Sequence, residues 1–277
     1  MRHIVITGAG GFLGSHLAAA ARKSGAEKVT PVYSRLTAEG VDLADKNAVQ
    51  DLQQRFPISN PEETAVIHAA AHVEWDSIEA VTLNALMAFN VASWMAEQKV
   101  GFGVLVSGVN AGIEGPPQTM YGVGKVAAEH IWDVLLPSRH ATVRLAGIWG
   151  WQRKPTLFWN RVLLAAVRKK GEPLNVCRRN SRRNYIHVED ASRVLLALAE
   201  TRRSGCFLAA GRDNVTTAEF VEAVQRLPHS HLSVNCTGDE GGDNQIYQCS
   251  PELLPYIRPF KEALAETWRA KPAWVTG

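Results

Sequence analysis

The chain is sparing with cysteine and has no long apolar run. Its four cysteines are far apart in the sequence, at Cys177, Cys206, Cys236 and Cys249, and none forms a CxxC pair. This spacing matches neither a disulfide framework nor a zinc motif. No stretch reaches the roughly 18 apolar residues that a membrane span needs. With no secretory segment visible either, we expect a cytoplasmic protein with reduced thiols, no membrane association and no bound metal.

The chain also lacks a strong excess of either charge. Thirty Lys and Arg residues against 27 Asp and Glu give a formal net charge of +3, which argues neither for nor against an anionic partner. Seven cations nevertheless fall between Arg168 and Arg183, a density typical of a solvated face or a loose nucleic-acid patch. Because no aromatic residue interleaves with them, we expect no nucleic-acid partner.

The most informative feature that is present is a glycine-rich turn near the start. The apolar run Ile4–Ile6 predicts a strand, glycines follow at Gly8, Gly11 and Gly14, and an amphipathic stretch comes next. Strand, glycine turn and helix are the layout that places a dinucleotide's pyrophosphate on a helix N-terminus. In this layout Gly8 makes the turn, Gly11 leaves room for phosphates beside the backbone, and Gly14 lets helix and strand pack.

Strand-like and helix-like segments alternate through the first two thirds of the chain. Strands are predicted at Ile4–Ile6, Val29–Tyr33, Ala65–His68, Val104–Val106 and Ala141–Leu145. Helices are predicted at Phe12–Ser24, Lys46–Phe56, Trp75–Gln98 and Met120–Leu136. This order predicts an α/β protein with a Rossmann-type, doubly wound parallel sheet, whose ligands bind beyond the carboxyl ends of the strands.

The amino-acid composition changes near residue 150, where arginine and tryptophan become frequent. We predict that residues 1–150 form an NAD(P)-binding domain, to which 185–210 returns. Residues 151–184 and 211–277 are predicted to form a small C-terminal substrate-binding cap. Three tryptophans are interpreted as core residues near this cap: Trp149, Trp151 and Trp159.

Tyr121 and Lys125 lie four residues apart, so on a helix they share one face. A nearby ammonium favours the phenolate, and we therefore expect the pKa of Tyr121 to fall from about 10 toward neutrality. A phenol poised in this way exchanges a proton with a carbonyl or hydroxyl oxygen, and a nicotinamide ring is the matching hydride partner.

These features resemble the extended branch of the short-chain dehydrogenase/reductase family, the NAD(P)-dependent sugar epimerases, dehydratases and reductases. The resemblance spans nearly the whole chain and rests on Thr7–Gly14, Asp42-Leu43, Val66–Ala71, the Tyr121/Lys125 pair and Arg183–Asp190. It implies an oxidoreductase in which Tyr121 and Lys125 are catalytic. The cofactor-binding residues that it implies, together with the glycine turn, are Gly8, Gly11, Phe12, Leu13, Gly14, Asp42, Leu43, Ala69, Ala70, Ala71, Asn84 and Lys125.

The chain departs from the family's pattern at the end of the strand before the tyrosine. The family has two hydroxyl residues there, and the second orients the substrate oxygen, whereas this chain reads Ser107-Gly108. We predict Ser107 as the third catalytic residue. Asn110 and Thr119 are alternative donors of that hydrogen bond, and weakened or absent catalysis is a third possibility.

A second departure concerns the ribose of the coenzyme. An acidic residue about 20 positions beyond the glycine turn usually holds a free 2′-hydroxyl. Here Ser34 and Arg35 occupy that region, and a guanidinium suits a 2′-phosphate. These two residues therefore favour NADP over NAD as the cofactor, with NAD as the alternative. Because net reductases draw on NADPH, the two residues also favour a reductase over an epimerase or dehydratase.

The sequence therefore predicts an NADPH-dependent ketoreductase acting on a nucleotide-activated sugar. The alternatives are an NAD-dependent nucleotide-sugar epimerase or dehydratase and, in another class, a cofactor-sensing binding protein without turnover. In family members that use sugar nucleotides, an arginine at the position of Arg183 often touches the diphosphate. The predicted substrate-binding residues are Arg183, Arg179, His72 and Asn110. The apolar residues of the helices at Trp75–Gln98 and Met120–Leu136 permit a homodimer.

Overall fold

The computed structural model describes residues 3–34, 40–153, 155, 157–169, 171–238 and 244–276. The chain forms two compact units. The first unit comprises Met1–Leu145 and Ala191–Ala209, and the second comprises Ala146–Asp190 and Ala210–Gly277. Residues 146–150 and 185–190, which the sequence assigned to the first domain, thus belong to the second unit.

Eleven strands and nine helices are present in the described part of the chain. The strands are β1 His3–Thr7, β2 Lys28–Val32, β3 Thr64–His68, β4 Phe102–Gly108, β5 His140–Leu145, β6 Gly147–Trp149, β7 Leu174–Val176, β8 Arg182–His187, β9 Gly205–Ala209, β10 Asn214–Thr216 and β11 Val234–Cys236. The helices are α1 Phe12–Lys23, α2 Ala48–Arg55, α3 Ile78–Glu97, α4 Met120–Leu135, α5 Phe158–Val167, α6 Val188–Thr201, α7 Thr217–Gln225, α8 Phe260–Arg269 and α9 Ala273–Thr276. Among the described residues, none of the helices is both long and apolar enough to cross a bilayer.

The first unit is built on a parallel sheet of six strands in the order β2-β1-β3-β4-β5-β9. β1, β3 and β4 are buried along their whole length, as expected of central strands in a parallel sheet with helices on its faces. β2 lies at the edge, where Pro31 is tolerated because the edge leaves one row of amides unpaired. The predicted Rossmann-type sheet is confirmed.

The strand order reverses direction beside β1, which pairs with β2 on one side and β3 on the other. Ligands of doubly wound sheets bind at such a switch point, beyond the carboxyl ends of the strands. In this unit the switch point lies between Thr7 and His68, which pair across β1 and β3. The glycine turn follows one of these strands and the alanine run Ala69–Ala71 follows the other.

The second unit contains a three-stranded sheet, β10-β8-β6, and a two-stranded sheet, β11-β7. Its core confirms the interpretation of the tryptophans, since all three are buried with α5, α7 and α8 residues: Trp149, Trp151 and Trp159. A polar hub joins the end of β8 to the segment before α8. There Arg258 donates to Asp190 Oδ1 at 2.8 Å and to His187 Nδ1 at 2.9 Å.

A buried histidine makes the stability of the first unit sensitive to acid. His68 Nδ1 lies 2.7 Å from Thr7 Oγ1, and the ring stacks on Trp132 with centroids 5.9 Å apart. Burial, with a smaller contribution from the charge of Lys125, lowers the pKa of His68 from 6.5 to about 3. The folded protein therefore keeps this ring neutral where the unfolded chain protonates it.

We predict that the free energy of unfolding falls as the pH drops below 6.5, and that His68→Gln reduces this loss. The stability linked to His68 is complete above pH 6.5 and is lost toward pH 3, at about 1.4 kcal/mol per pH unit. Urea titrations at pH 5.0, 5.5, 6.0 and 7.0 measure both slopes. His3, whose pKa is lowered to about 4, contributes equally to both proteins. Equal slopes in the two proteins would contradict the prediction.

Candidate active site

The glycine turn after β1 is a place of close backbone contact. Gly8 has a φ of 70°, and a Cβ added there would lie 2.6 Å from Ala70 N, in the loop after β3. A Cβ on Gly14 would overlap the carbonyl oxygen of Gly8. Both positions therefore require glycine, one for its conformation and its neighbour, the other for packing of α1 on the turn.

The N-terminus of α1 presents bare backbone. Gly11 is the N-cap residue, no side chain caps the helix, and its first turn holds no acidic residue. Ser15 N donates to Gly11 O at 3.0 Å, so the amides of the residues before it have no intrahelical acceptor. Phe12 is half-buried and Leu13 is buried behind this turn. Uncapped amides at the positive end of a helix fit a phosphate group.

The loop after β3 is fixed by an asparagine that the sequence assigned to the cofactor. Ala69 N donates to Thr7 O at 3.3 Å. The Asn84 amide is buried: its Oδ1 accepts from His72 N at 2.9 Å, and its Nδ2 donates to His72 O at 2.9 Å and Ala80 O at 2.8 Å. Asn84 thus ties the loop containing Ala70 and Ala71 to α3, which indicates that it shapes the coenzyme site through the backbone.

The residues predicted around adenine and ribose follow β2. Asp42 is half-buried, and its Oδ1 accepts from Ala44 N at 3.2 Å. Leu43 is buried in the core, and its carbonyl oxygen accepts from Asn90 at 2.8 Å. Ser34 is exposed after the end of β2. Arg35, predicted to select a 2′-phosphate, lies outside the described residues.

Tyr121 and Lys125 lie on the first two turns of α4, as predicted. Thr119 caps the helix by accepting from Gly122 N at 3.0 Å. Lys125 Nζ lies 5.5 Å from the centre of the Tyr121 ring and donates to Val106 O, on β4, at 3.1 Å. Trp75, which sequence reasoning missed, contacts Tyr121 with ring centroids 5.9 Å apart, and its carbonyl accepts the Tyr121 amide.

The expected fall in the pKa of Tyr121 is contradicted. Burial raises the pKa of Tyr121 to about 12. Burial likewise lowers the pKa of Lys125 to about 8, against an opposing effect of Glu129. The ammonium hydrogen-bonds a carbonyl rather than the phenol, so desolvation outweighs its attraction for a phenolate. The structure therefore holds Tyr121 as a protonated phenol at neutral pH.

Ser107 does not present its hydroxyl as the prediction required. It is buried, and Oγ donates to Glu129 Oε1 at 2.5 Å. The same carboxylate accepts from Arg144 Nε at 3.0 Å and Nη2 at 2.6 Å. Sequence reasoning missed both partners, although Glu129 follows Lys125 by four residues, the spacing that places two side chains on one helix face.

Asn110 is one of the two residues predicted as alternative donors of the hydrogen bond to the substrate oxygen. It lies in a 3₁₀ turn, Val109–Ala111, directly after β4. A Cβ on Gly122 would overlap the carbonyl oxygen of Asn110, so this turn rests on α4 beside Tyr121. The Asn110 side chain is half-buried.

The remaining predicted substrate residues lie in different units. His72 follows the alanine run, and its Nε2 is 3.4 Å from Glu74 Oε2. Glu79 approaches the same pair, but the two glutamates are exposed and we assign no metal there. In the second unit Arg179 is half-buried before β8, and Arg183 lies on β8 close enough to Tyr247 to lower its pKa against the larger effect of burial.

Comparison with known proteins gives one family and many similar structures. The family model described as "NAD dependent epimerase/dehydratase family" matches residues 4–207. A search of curated protein sequences gave no match. The UDP-glucose 4-epimerase of Thermus thermophilus, in complex with NAD, is 22% identical over 98% of this chain and 100% of its own, with a TM-score of 0.74.

Two further structures are similar over nearly their whole length. The UDP-N-acetylglucosamine 4-epimerase of Bacillus cereus is 22% identical, covers 100% of both chains and has a TM-score of 0.77. The dTDP-4-dehydrorhamnose reductase of Bacillus anthracis, in complex with NADP, is 20% identical over 98% of this chain and 99% of its own, also with a TM-score of 0.77. At these identities the likeness establishes the fold.

We predict that Gly14→Ala destabilises the protein by about 1–3 kcal/mol, because the new methyl group overlaps a carbonyl that cannot move away. Gly10→Ala is the matched control. Its Cβ would meet only the Tyr33 ring, at an ordinary 3.5 Å, and its φ is not positive. Thermal unfolding should show a lower Tm for Gly14→Ala and little change for Gly10→Ala. Equal effects would argue against the close contact.

Proposed function

Because the chain belongs to the NAD dependent epimerase/dehydratase family, whose members are nicotinamide-dependent enzymes of the short-chain dehydrogenase type, we propose that it is an NADPH-dependent ketoreductase. Its substrate would be a nucleotide-activated sugar, which it would reduce at the keto carbon. The proposal goes beyond the family, which includes epimerases and dehydratases as well as reductases. The protein's own side chains carry the argument for reduction.

The observation that carries the proposal is the position of the Tyr121/Lys125 pair beside the switch point of the sheet. Lys125 Nζ donates to Val106 O at 3.1 Å, and Leu105, the residue before Val106 on β4, pairs with His68 on β3. His68 in turn lies 2.7 Å from Thr7, the residue before the glycine turn. The phenol and the ammonium therefore belong to the same end of the sheet as the bare amides of α1.

The chain's own groups divide the work as follows. Backbone amides at the start of α1 and in the turn from Gly8 to Gly14 bind the pyrophosphate. Lys125 binds the ribose beside the nicotinamide, as the family resemblance implies, while Val106 O orients its ammonium. Tyr121 gives its proton to the substrate oxygen, and Asn110 holds that oxygen. When bound, a nicotinamide coenzyme supplies the hydride.

Tyr121 is the group proposed to donate the proton that reduction of a ketone requires. A pKa of about 12 keeps the phenol protonated at neutral pH. Reduction of a ketone requires a proton donor at the carbonyl oxygen, whereas oxidation of a hydroxyl requires a base.

NADP as the cofactor rests on Ser34 and Arg35, and NAD is the alternative. Among the structures of the same fold, the Thermus epimerase is in complex with NAD and the Bacillus anthracis reductase with NADP. An NAD-dependent epimerase or dehydratase is therefore the second candidate function. A cofactor-sensing protein without turnover is the third, motivated by Gly108 and by the engagement of Ser107 with Glu129.

The nucleotide-sugar substrate is supported from two directions. The comparison structures are named for UDP- and dTDP-sugar enzymes. In the second unit, Arg183 lies on β8 and Arg179 lies in the loop before it. The guanidinium group of an arginine can bind a diphosphate through two parallel hydrogen bonds. We propose these two as substrate-binding residues of the second unit, and His72 and Asn110 as substrate-binding residues of the first.

Tyr121→Phe tests the ketoreductase directly. We expect the rate of NADPH oxidation with UDP- and dTDP-4-keto sugars to fall by about 10²–10⁴-fold, because the proton donor is lost. The Kd for NADPH, measured by fluorescence, should stay within about threefold, since the phosphates bind elsewhere. Wild-type protein that binds NADPH without turning over any of these sugars would point to the sensor.

Arg35→Asp tests the coenzyme preference. If Arg35 binds a 2′-phosphate, the variant should lose its preference for NADPH and gain affinity for NADH, because a carboxylate repels the phosphate and accepts from a free hydroxyl. Paired fluorescence titrations with NADH and NADPH measure both affinities. Arg22→Asp, the same charge reversal at an exposed position in the last turn of α1, serves as the control. Unchanged selectivity would favour the NAD-dependent epimerase or dehydratase.

A homodimer through α3 and α4 remains a prediction. Both helices expose apolar side chains, with Phe89 47% exposed on α3 and Val123 38% exposed on α4. We expect Phe89→Glu to shift the protein from dimer to monomer in sedimentation velocity runs, because it places a charge in the apolar contact. Val134→Glu, at a 77% exposed position near the end of α4, provides a comparison. A monomeric wild type would end this prediction.

A further inference from the structure

We propose that Glu129 is a positioning residue, which holds the Lys125 ammonium for the coenzyme and, through Arg144, fixes the turn that presents Asn110. The proposal extends the function proposed above, because Lys125 and Asn110 act on coenzyme and substrate only if that function is right. Glu129 itself touches neither. Its effect is carried by one shared carboxylate.

The Glu129 carboxylate is the centre of a buried polar network. Its side chain is 9% exposed and accepts three hydrogen bonds, from Ser107 Oγ at 2.5 Å and from Arg144 Nε and Nη2 at 3.0 and 2.6 Å. The Arg144 side chain is 25% exposed. Burying a carboxylate without such partners costs several kcal/mol, so the network holds the charge in a fixed place.

The same carboxylate supplies the negative charge that Lys125 needs. Around this lysine, Tyr121 and His68 are neutral at pH 7, because burial moves their pKa values to about 12 and about 3. Glu129 lies one turn after Lys125 on α4, and its carboxylate accepts from Ser107, which follows Val106 on β4, the residue whose carbonyl accepts the Lys125 ammonium. The charge of Glu129 opposes the effect of burial on the pKa of Lys125. Arg144 forms an ion pair with the same carboxylate.

Arg144 extends the network to the turn after β4. Its Nη1 donates to Gly112 O at 2.6 Å, and Gly112 takes a φ of 90° at the end of the turn. The turn lies against Gly122, where the carbonyl of Asn110 leaves no room for a side chain. The ion pair with Glu129 orients the guanidinium, so one carboxylate positions both a charged group and a loop.

Glu129→Gln tests the electrostatic part of the proposal. Glutamine keeps an acceptor for Ser107 but removes the charge, and the Lys125 titration should move from about pH 8 to lower pH by at least about one unit. Lysine labelled with ¹³C reports this titration through its Cε chemical shift, and the signal is assigned by its absence in Lys125→Met. The NADPH affinity of the variant should fall at pH 8 and recover toward pH 6.

Asp133→Asn is the matched control, since it removes a carboxylate from the next turn of α4 that is 63% exposed and paired with His140. It should leave the Lys125 titration unchanged. Glu129→Asp keeps the charge but shortens the reach to Ser107 and Arg144. We expect it to keep the Lys125 titration near its wild-type position while lowering kcat more than NADPH affinity, because the turn carrying Asn110 is released.

The outcomes separate this proposal from the proposed function. A Lys125 titration in Glu129→Gln that matches the wild type overturns the electrostatic part, and wild-type kcat in Glu129→Asp overturns the loop part. If Glu129→Gln does not fold, a large acidic shift in Glu129→Asp would equally refute the role of charge. If the wild type binds neither NADPH nor NADH, the proposed function is wrong, while the NMR titration still decides whether Glu129 supports the Lys125 charge.

Discussion

The active-site end of the first unit depends on one buried positive charge. Lys125 is 4% exposed, yet the proposed chemistry needs its ammonium charged. Burial disfavours the charged form of Lys125 and lowers its pKa, whereas the charge of Glu129, one helical turn away, raises it. The ammonium also donates a hydrogen bond to the carbonyl of Val106 on β4. Because those partners must stay fixed, the carboxylate is itself held by Ser107 and Arg144. The polar groups of β4, β5 and α4 are thereby arranged around one charge.

Close backbone approach is the second constraint, and glycine provides it. At the switch point the turn after β1 touches the loop after β3 at Gly8. On α4, Gly122 admits the turn that follows β4, and Gly124 admits α3, where a Cβ would lie 2.9 Å from Ala80 O. The first contact joins the loops after β1 and β3, and the other two bring the turn after β4 and helix α3 against α4. Side chains at these positions would push the candidate site apart.

In the second unit, part of the segment that resembles the family's signature serves the fold. His187 and Asp190 hold Arg258, and Thr267 Oγ1 lies 2.9 Å from His187 Nε2. These bonds attach β8 to the C-terminal helix α8. Arg183, earlier on the same strand, is the member of the segment proposed to bind substrate. A single motif thus combines a structural half and a proposed binding half.

The sequence by itself determined the sheet, the glycine turn, and the placement of Tyr121 and Lys125 on one helix. These follow from local patterns, since apolar runs, glycine spacing and a four-residue interval act along the chain. The short strands β6, β7, β10 and β11 escaped prediction because three residues carry too little periodicity. Only the tertiary structure decided which group accepts the hydrogen bond of the Ser107 hydroxyl and in which direction the pKa of Tyr121 moves. Both depend on which groups fold against them and exclude water, and that is a property of residues distant in sequence.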